Sequence, residues 1–376
     1  MFIQRLGDCQ KKLKDLHCDE LGYQILSLKD RVLTFHIYGL KPHVAAILKQ
    51  EALACGADLA LPRDAIMYAR EFYDGILMIT RSQAKILIKK LQIQPFGLKQ
   101  LAVELKAHLK NFEYPLRIMG VINATPDSFY ERSRKDSKSA KERILEMIEE
   151  GVDIIDIGGA STRPGSPWVC AEEELERVKP IVEFIAQEGL VDKVSFSIDT
   201  YTPEVAKLCL DHGFSMVNDI TGFTNKKMLD AVRGYYCECV VMHMQKNPKE
   251  MQKNPTYENL FLEIDSFFAR QIECLRENGN DRIILDVGIG FGKSLEHNCE
   301  LIKHLEHFCH FGYPLLIGAS RKSMIDSITP CSVEDRLAGT LVIHLESLNH
   351  GVSILRCHDV KEHVQALKVW ERLHRK

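Results

Sequence analysis

From residue 116 onward, seven of the eight short apolar runs of this 376-residue chain end in side chains that can do chemistry, or reach them within a residue or two. These are Asn123, Asp199, Asn218 with Asp219, His243, Asp286, Ser320 with Arg321 and Lys322, and Arg356 with His358. A lone Asp at a strand end is most often a helix N-cap, but seven such positions in a row are too many for caps. Their types divide in two. Asp199, Asn218 and Asp286 suit a heterocycle with adjacent N–H donors, because one carboxylate accepts two of them at once. The same groups could instead hold a metal, but without neighbouring histidines the heterocycle is the preferred reading. Lys322, Arg356 and His358 are cationic and suit a phosphorylated substrate. Arg356 and His358 alternate along the chain, so both face one pocket if Cys357 points away. The alternative is that Arg356 pairs with Asp359 at a helix start.

Two glycine-rich segments complete the inventory. Val287–Ser294 ends like a P-loop, but Val287 stands where the first glycine must be, and the third glycine of a dinucleotide fingerprint would fall on Lys293. Neither ATP nor NAD is supported, and the glycines are read as a sharp turn that approaches a flat ligand. Gly158–Gly165 is a shaped loop whose Arg163, Ser161 and Thr162 suit an anion or a carboxylate, or it is a plain connection.

The elements that must position these groups follow from the runs: Arg117–Asn123, Asp153–Gly158, Val194–Asp199, Met216–Asp219, Cys239–His243, Ile283–Asp286, Leu315–Ser320 and Val352–Arg356. They are continuously apolar, as strands buried on both faces of a parallel sheet are. The stretches between them are amphipathic, with Ile144, Leu145 and Ile148 on one side of Ser139–Glu150, and Leu175, Val178, Val182 and Ile185 on one side of Glu172–Ala186. Eight β/α units in about 260 residues point to the α/β class and a TIM (β/α)8 barrel, with an open doubly wound sheet as competitor. The barrel is preferred because it gathers all the strand-end polar groups on one face, and the region after its seventh and eighth strands is a common phosphate site. Residues 1–112 read as a small accessory α+β domain and 113–376 as the catalytic barrel. In the first part, Val32–Tyr38 alternates like a half-exposed strand, Gly75–Thr80 reads as a buried strand, and Pro42–Cys55, Ser82–Leu91 and Gly97–Lys110 read as helices.

Composition narrows the class. Lys plus Arg (49) nearly balances Asp plus Glu (52), a net charge of −3, which argues against nucleic-acid or membrane-surface partners. No apolar run approaches the roughly 18 residues of a membrane span. The first residues lack the apolar core of a secretory signal, so a cytoplasmic protein is expected. The 12 cysteines are scattered without a C-x-x-C pair and read as small buried hydrophobes.

In order, the chain carries Asn123-Ala-Thr-Pro-Asp-Ser-Phe129, Gly158-Gly-Ala-Ser-Thr-Arg-Pro-Gly165, Ser197-Ile-Asp-Thr200, Asn218-Asp-Ile220, Met242-His-Met244, Asp286 with Gly288-Ile-Gly-Phe-Gly-Lys293, Ser320-Arg-Lys322 and Arg356-Cys-His-Asp-Val360. Together they resemble dihydropteroate synthase over residues 115 to 365. The resemblance implies a TIM barrel that joins 6-hydroxymethyl-7,8-dihydropterin pyrophosphate to p-aminobenzoate and releases pyrophosphate in folate synthesis, a transferase and sulfonamide target. It implies that Asp199, Asn218, Asp286 and Lys322 hold the pterin with Met242 packed on its ring. Asn123, Arg356 and His358 would hold the pyrophosphate with Mg²⁺, Asn123 as the metal ligand. Thr162, Arg163, Pro164, Phe291 and Ser320 would border the p-aminobenzoate site. Lys322, Asp286, Asp199 and Arg356 are expected to carry catalysis, in a homodimer. The chain departs from the family pattern at Ala160 (usually Glu), at Val287 (usually Pro) and at Phe129–Arg132, where Ser-Asp and glycines are common and Glu131 keeps a carboxylate. Two alternatives remain: a pterin-binding protein without catalysis, and a pterin methyltransferase using methyltetrahydrofolate, which needs no site like Lys322, Arg356 and His358.

Overall fold

The computed structural model describes residues 3–4, 6, 9–124, 139–160, 169–245, 251 and 254–374, which form two compact units, Met1–Asn111 and Phe112–His374. In the first unit, β1 (Val32–Leu40), β2 (Asp58–Ala60) and β3 (Tyr73–Thr80) form an antiparallel sheet in the order β1-β3-β2. Helices Pro42–Ala54, Arg81–Leu91 and Leu98–His108 pack with them around Leu48, Leu77, Ile79, Leu87 and Leu91. The buried run expected at Gly75–Thr80 is an alternating strand, with Gly75, Leu77 and Ile79 buried and Ile76, Met78 and Thr80 less so. The reason is that an antiparallel central strand needs only one face covered. The helices Gln10–Asp15 and Glu20–Ser27 and the short β2 had no clear signal; Glu20–Ser27 buries no residue.

In the second unit, β4 (Arg117–Asn123), β5 (Ile154–Gly158), β6 (Ser195–Asp199), β7 (Met216–Asp219), β8 (Glu238–Met242), β9 (Ile283–Asp286), β10 (Leu315–Ile317) and β11 (Val352–Cys357) close a parallel barrel. Helices between the strands cover its outside, so the strands are buried on both faces. Each expected strand is present within a residue or two, except that β10 stops at Ile317 rather than Ser320. Gly318 follows, in van der Waals reach of the Arg356 side chain. The helix Ala140–Glu150 starts on a Ser139–Glu142 capping box, and it buries Ile144 and Met147 while Leu145 faces solvent. A helix of 3.6 residues per turn places position 147, not 145, beside 144 on the core side.

Inside the barrel, Met119, Ile154, Met216, Val240, Ile284, Leu316 and Ile354 form one apolar layer. Below it, Arg117 donates two hydrogen bonds to Glu238 at 2.7 and 3.1 Å and closes the N-terminal end. Side chains alternate along a strand, so the residues two positions after this layer also face inward, toward the C-terminal mouth.

Candidate active site

Two residues beyond the apolar layer stand Asp156, Asn218, Met242, Asp286 and Arg356, and two beyond Ser197 stands Asp199. Strand parity therefore turns all of them into one space. Cys357 lies in the outer core between strands and helices, which leaves Arg356 pointing inward. Arg356 Nε donates to Asp156 Oδ2 and Arg356 Nη2 to Asp199 Oδ2, each at 2.7 Å. Asn218 Nδ2 donates to the same Asp156 oxygen at 3.1 Å. The acidic and cationic groups, which divide by type, thus meet in space. In an eight-stranded barrel the inward side chains of different strands meet in the middle, and burial forces a charged group to find a partner. The pairing of Arg356 with Asp359 is also excluded: Asp359 is held by Arg321.

Burial pushes the Asp199 carboxyl up, Arg356 pulls it down, and the nearby Asp156 raises it again. Burial works against the Arg356 cation, but the two carboxylates more than offset it and hold it charged. One oxygen each of Asp156 and Asp199 is buried without a hydrogen bond, and so is Ser197 Oγ. These acceptors suit the N–H edge of a heterocycle.

Asp286 ends β9, and its Oδ1 accepts the Gly288 N–H at 2.8 Å. Gly288 sits at φ +68°, and a Cβ there would meet the His243 carbonyl oxygen at 2.1 Å, so only glycine fits. The loop continues to Ile289, whose carbonyl accepts from Lys322 Nζ, and to Phe291, whose ring centroid lies 4.3 Å from that ammonium. Burial lowers Lys322 to about 8 despite the nearby Asp286. Met242 packs with Ala160, Val169, Tyr201 and Ile220 against Met244 and Phe291, giving the mouth an apolar wall. Ser320 Oγ lies 3.0 Å from His358 Nδ1 and accepts the His358 backbone N–H at 3.2 Å, which ties the ends of β10 and β11 together. Asn123 is an exposed oxygen donor at the end of β4, with Oδ1 4.0 Å from where a Gly158 Cβ would sit.

Asp156, Lys293 and His243 complete the site beyond the residues assigned from sequence. A carboxylate inside the apolar run Ile154-Ile155-Asp156-Ile157 was the available signal, since a buried acid needs a partner. Lys293 Nζ is buried and lies 3.0 Å from both the Phe291 carbonyl and His243 Nδ1; burial lowers Lys293 to about 7 and His243 to about 2. Asp219 is no part of the inward set: it accepts from Thr221 and Phe223 and shapes the turn after β7. Thr162, Arg163 and Pro164, and the Phe129–Arg132 loop, lie outside the described residues. Gly159 is fixed by packing, since a Cβ would fall 2.5 Å from Val178 of the helix Ala171–Gln187.

Residues 119–358 match the pterin binding enzyme family. A Helicobacter pylori protein named bifunctional dihydropteroate synthase/dihydropteroate reductase is 46% identical over 376 residues, 99% of each chain. The Escherichia coli dihydropteroate synthase is 42% identical over 257 residues, 68% of this chain and 90% of that one. The structure of the Yersinia pestis enzyme with a sulfonamide drug complex is 37% identical, covers 70% of this chain and 95% of that one, and aligns with a TM-score of 0.64. The Thermus thermophilus enzyme in complex with 4-aminobenzoate gives 36% identity, 69% and 95% coverage, and a TM-score of 0.62.

Proposed function

The chain belongs to the pterin binding enzyme family, and from that premise we propose that it is a transferase condensing 6-hydroxymethyl-7,8-dihydropterin pyrophosphate with p-aminobenzoate to give 7,8-dihydropteroate and pyrophosphate. The observation that carries this reading is the inward set Asp156, Asp199, Asn218, Asp286 and Arg356 at one end of a closed barrel, with Lys322 beside it.

In this reading Asp156, Asp199, Asn218 and Asp286 accept and donate along the pterin edge, and Met242 covers its face. Lys322 reaches the pterin from the loop after β10. The arylamine nitrogen attacks the pterin methylene and the carbon–oxygen bond to pyrophosphate breaks. The amine then loses a proton and pyrophosphate leaves. The arylamine is already nucleophilic, so no strong base is needed and positioning supplies most of the rate. Arg356 and His358 stabilise charge on the departing pyrophosphate, while the fixed carboxylates stabilise positive charge growing on the methylene. Asn123, a neutral oxygen donor at the rim, would hold Mg²⁺ together with oxygens of the pyrophosphate. When bound, the ion neutralises charge on the leaving group. Thr162, Arg163, Pro164, Phe291 and Ser320 border p-aminobenzoate. Residues 113–376 are the catalytic domain and 1–112 an accessory domain, in a cytoplasmic homodimer.

The test is pyrophosphate release by purified protein with the pterin pyrophosphate and Mg²⁺, with and without p-aminobenzoate. Release that requires p-aminobenzoate and yields dihydropteroate supports the reading. Pterin binding without release would favour a catalytically silent binding protein.

A second activity has one observation behind it. The match to the bifunctional relative runs the length of both chains, whereas the E. coli enzyme leaves about a third of this chain unmatched. We infer that the chain also reduces dihydropteroate to tetrahydropteroate, with a hydride from a reduced nicotinamide or flavin, which is oxidised, and a proton from solvent entering the C=N bond of the ring. Offering dihydropteroate with reduced nicotinamide, then with reduced flavin, and assaying tetrahydropteroate tests it.

A further inference from the structure

Away from the barrel mouth, Asp265, His307 and His310 each offer one ligand atom, all within 4.8 Å of one another. Asp265 is on the helix Leu260–Glu277 and the histidines are on the 3-10 turn Leu305–Phe311. A 3-10 helix has three residues per turn, so positions i and i+3 eclipse and both imidazoles stand on one side. His307 Nε2 lies 3.3 Å from Asp265 Oδ1, and His310 Nε2 lies 3.6 Å from Asp265 Oδ2. Two ligand atoms bound at ~2.0–2.1 Å to one tetrahedral ion stand about 3.3–3.4 Å apart, so the 3.3 Å between His307 Nε2 and Asp265 Oδ1 fits a shared ion, with His310 Nε2 close enough to join it.

Two further observations point the same way. His310 Nδ1 bonds the His307 carbonyl at 2.7 Å. A carbonyl only accepts, so Nδ1 carries a proton, and Nε2, the nitrogen that would ligate an ion, is the one turned toward the carboxylate. This is also the outer hydrogen bond that metal-bound histidines make. Second, Asp265 Oδ1 is buried and accepts no hydrogen bond. Beside the trio, the Phe261 ring lies 5.2 Å from His307 and the Phe311 ring 4.1 Å from His310. His304, one turn earlier, pairs with Glu300 instead.

We propose that Asp265, His307 and His310 bind one divalent ion of the zinc class, with a fourth position open to water. The ion ties the helix Leu260–Glu277 to the turn that leads into β10, and is separate from the Mg²⁺ assigned to Asn123.

The test is titration of Co²⁺, a spectroscopic stand-in for Zn²⁺, into the chelator-stripped full chain in excess Mg²⁺. The expected result is one equivalent bound with visible ligand-field absorption and without thiolate-to-cobalt charge transfer. His307→Gln with His310→Gln, and separately Asp265→Asn, should weaken binding by about 100-fold or more. Both variants should keep the metal-free circular dichroism, and Zn²⁺ should raise the melting temperature of the wild type alone. Unchanged affinity in both variants, a thiolate band, or no stoichiometric binding by the wild type would overturn the proposal and leave two histidine–carboxylate ion pairs.

Discussion

Arg356 and Asp199 are 157 residues apart in the chain and meet at 2.7 Å inside the barrel. The same guanidinium reaches Asp156 at 2.7 Å. One cation thus holds two buried carboxylates, each left with one oxygen for a ligand.

Replacing Arg356 by Ala should therefore damage fold and function together. Breaking a buried pair by removing one partner costs about 3–5 kcal/mol, since the other charge stays buried. Urea unfolding should read that loss in Arg356→Ala. Arg356→Lys should recover part of the stability but not the activity, because an ammonium cannot span both carboxylates. A stable, active Arg356→Ala enzyme would contradict the assignment.

Lys322→Ala should leave a cooperatively folded protein and lower kcat/KM by about a hundredfold or more, the scale of removing one preorganised charge contact. The measurement is p-aminobenzoate-dependent pyrophosphate release. A folded variant with wild-type rate would remove Lys322 from the site.

Lys293 gives a pH signature. Its folded pKa is depressed to about 7 by burial, below that of a free lysine, so between those values the unfolded chain binds more protons than the native one. Its share of stability is present above the free-lysine pKa and is lost as pH falls through about 7. Lys322 acts in the same direction, down to about 8. Urea unfolding between pH 7 and 10 should show stability rising with pH, and Lys293→Met should reduce that slope by up to about 1.4 kcal/mol per pH unit. An identical slope in the variant would show that Lys293 titrates normally.

Gly288→Ala places a Cβ against the His243 carbonyl at a positive φ. The backbone strain alone should cost about 1–3 kcal/mol. Because Gly288 N–H holds Asp286, the KM for the pterin substrate should rise as well. Calorimetry and steady-state kinetics check the two effects.

The cores around Leu48 and around Phe268 share no residue, so each unit has its own buried apolar set. Expressing residues 113–376 alone should give a folded barrel with a cooperative thermal transition. An insoluble or non-cooperative product would make the first unit part of the barrel's structure.

Much of this was legible in the chain itself. Continuous apolar runs reported strands buried on both faces, and their spacing with helices between reported a barrel. A parallel strand inside a ring of helices has no polar face to show, so its pattern survives in one dimension. The polar residue at the end of seven of the eight runs marked the mouth, and Asp199, Asn218, Asp286 and Arg356 do face inward there. The first unit was less readable. Glu20–Ser27 buries nothing, and β2 is three residues long, so neither carries a hydrophobic period.

The residue types and strand ends at the mouth were thus determined by sequence alone, because burial and strand period are local properties. Which groups touch was decided only in three dimensions. Asp156 could be recognised as an acid in an apolar run, but not as the partner of Arg356 and Asn218, because those contacts cross the barrel. Asp359 stands three residues from Arg356 in the chain yet is held by Arg321, while Asp199, far away in sequence, takes the guanidinium. Closing the barrel brings inward side chains of non-neighbouring strands within hydrogen-bond reach, and burial then requires each charge to find its counterpart there.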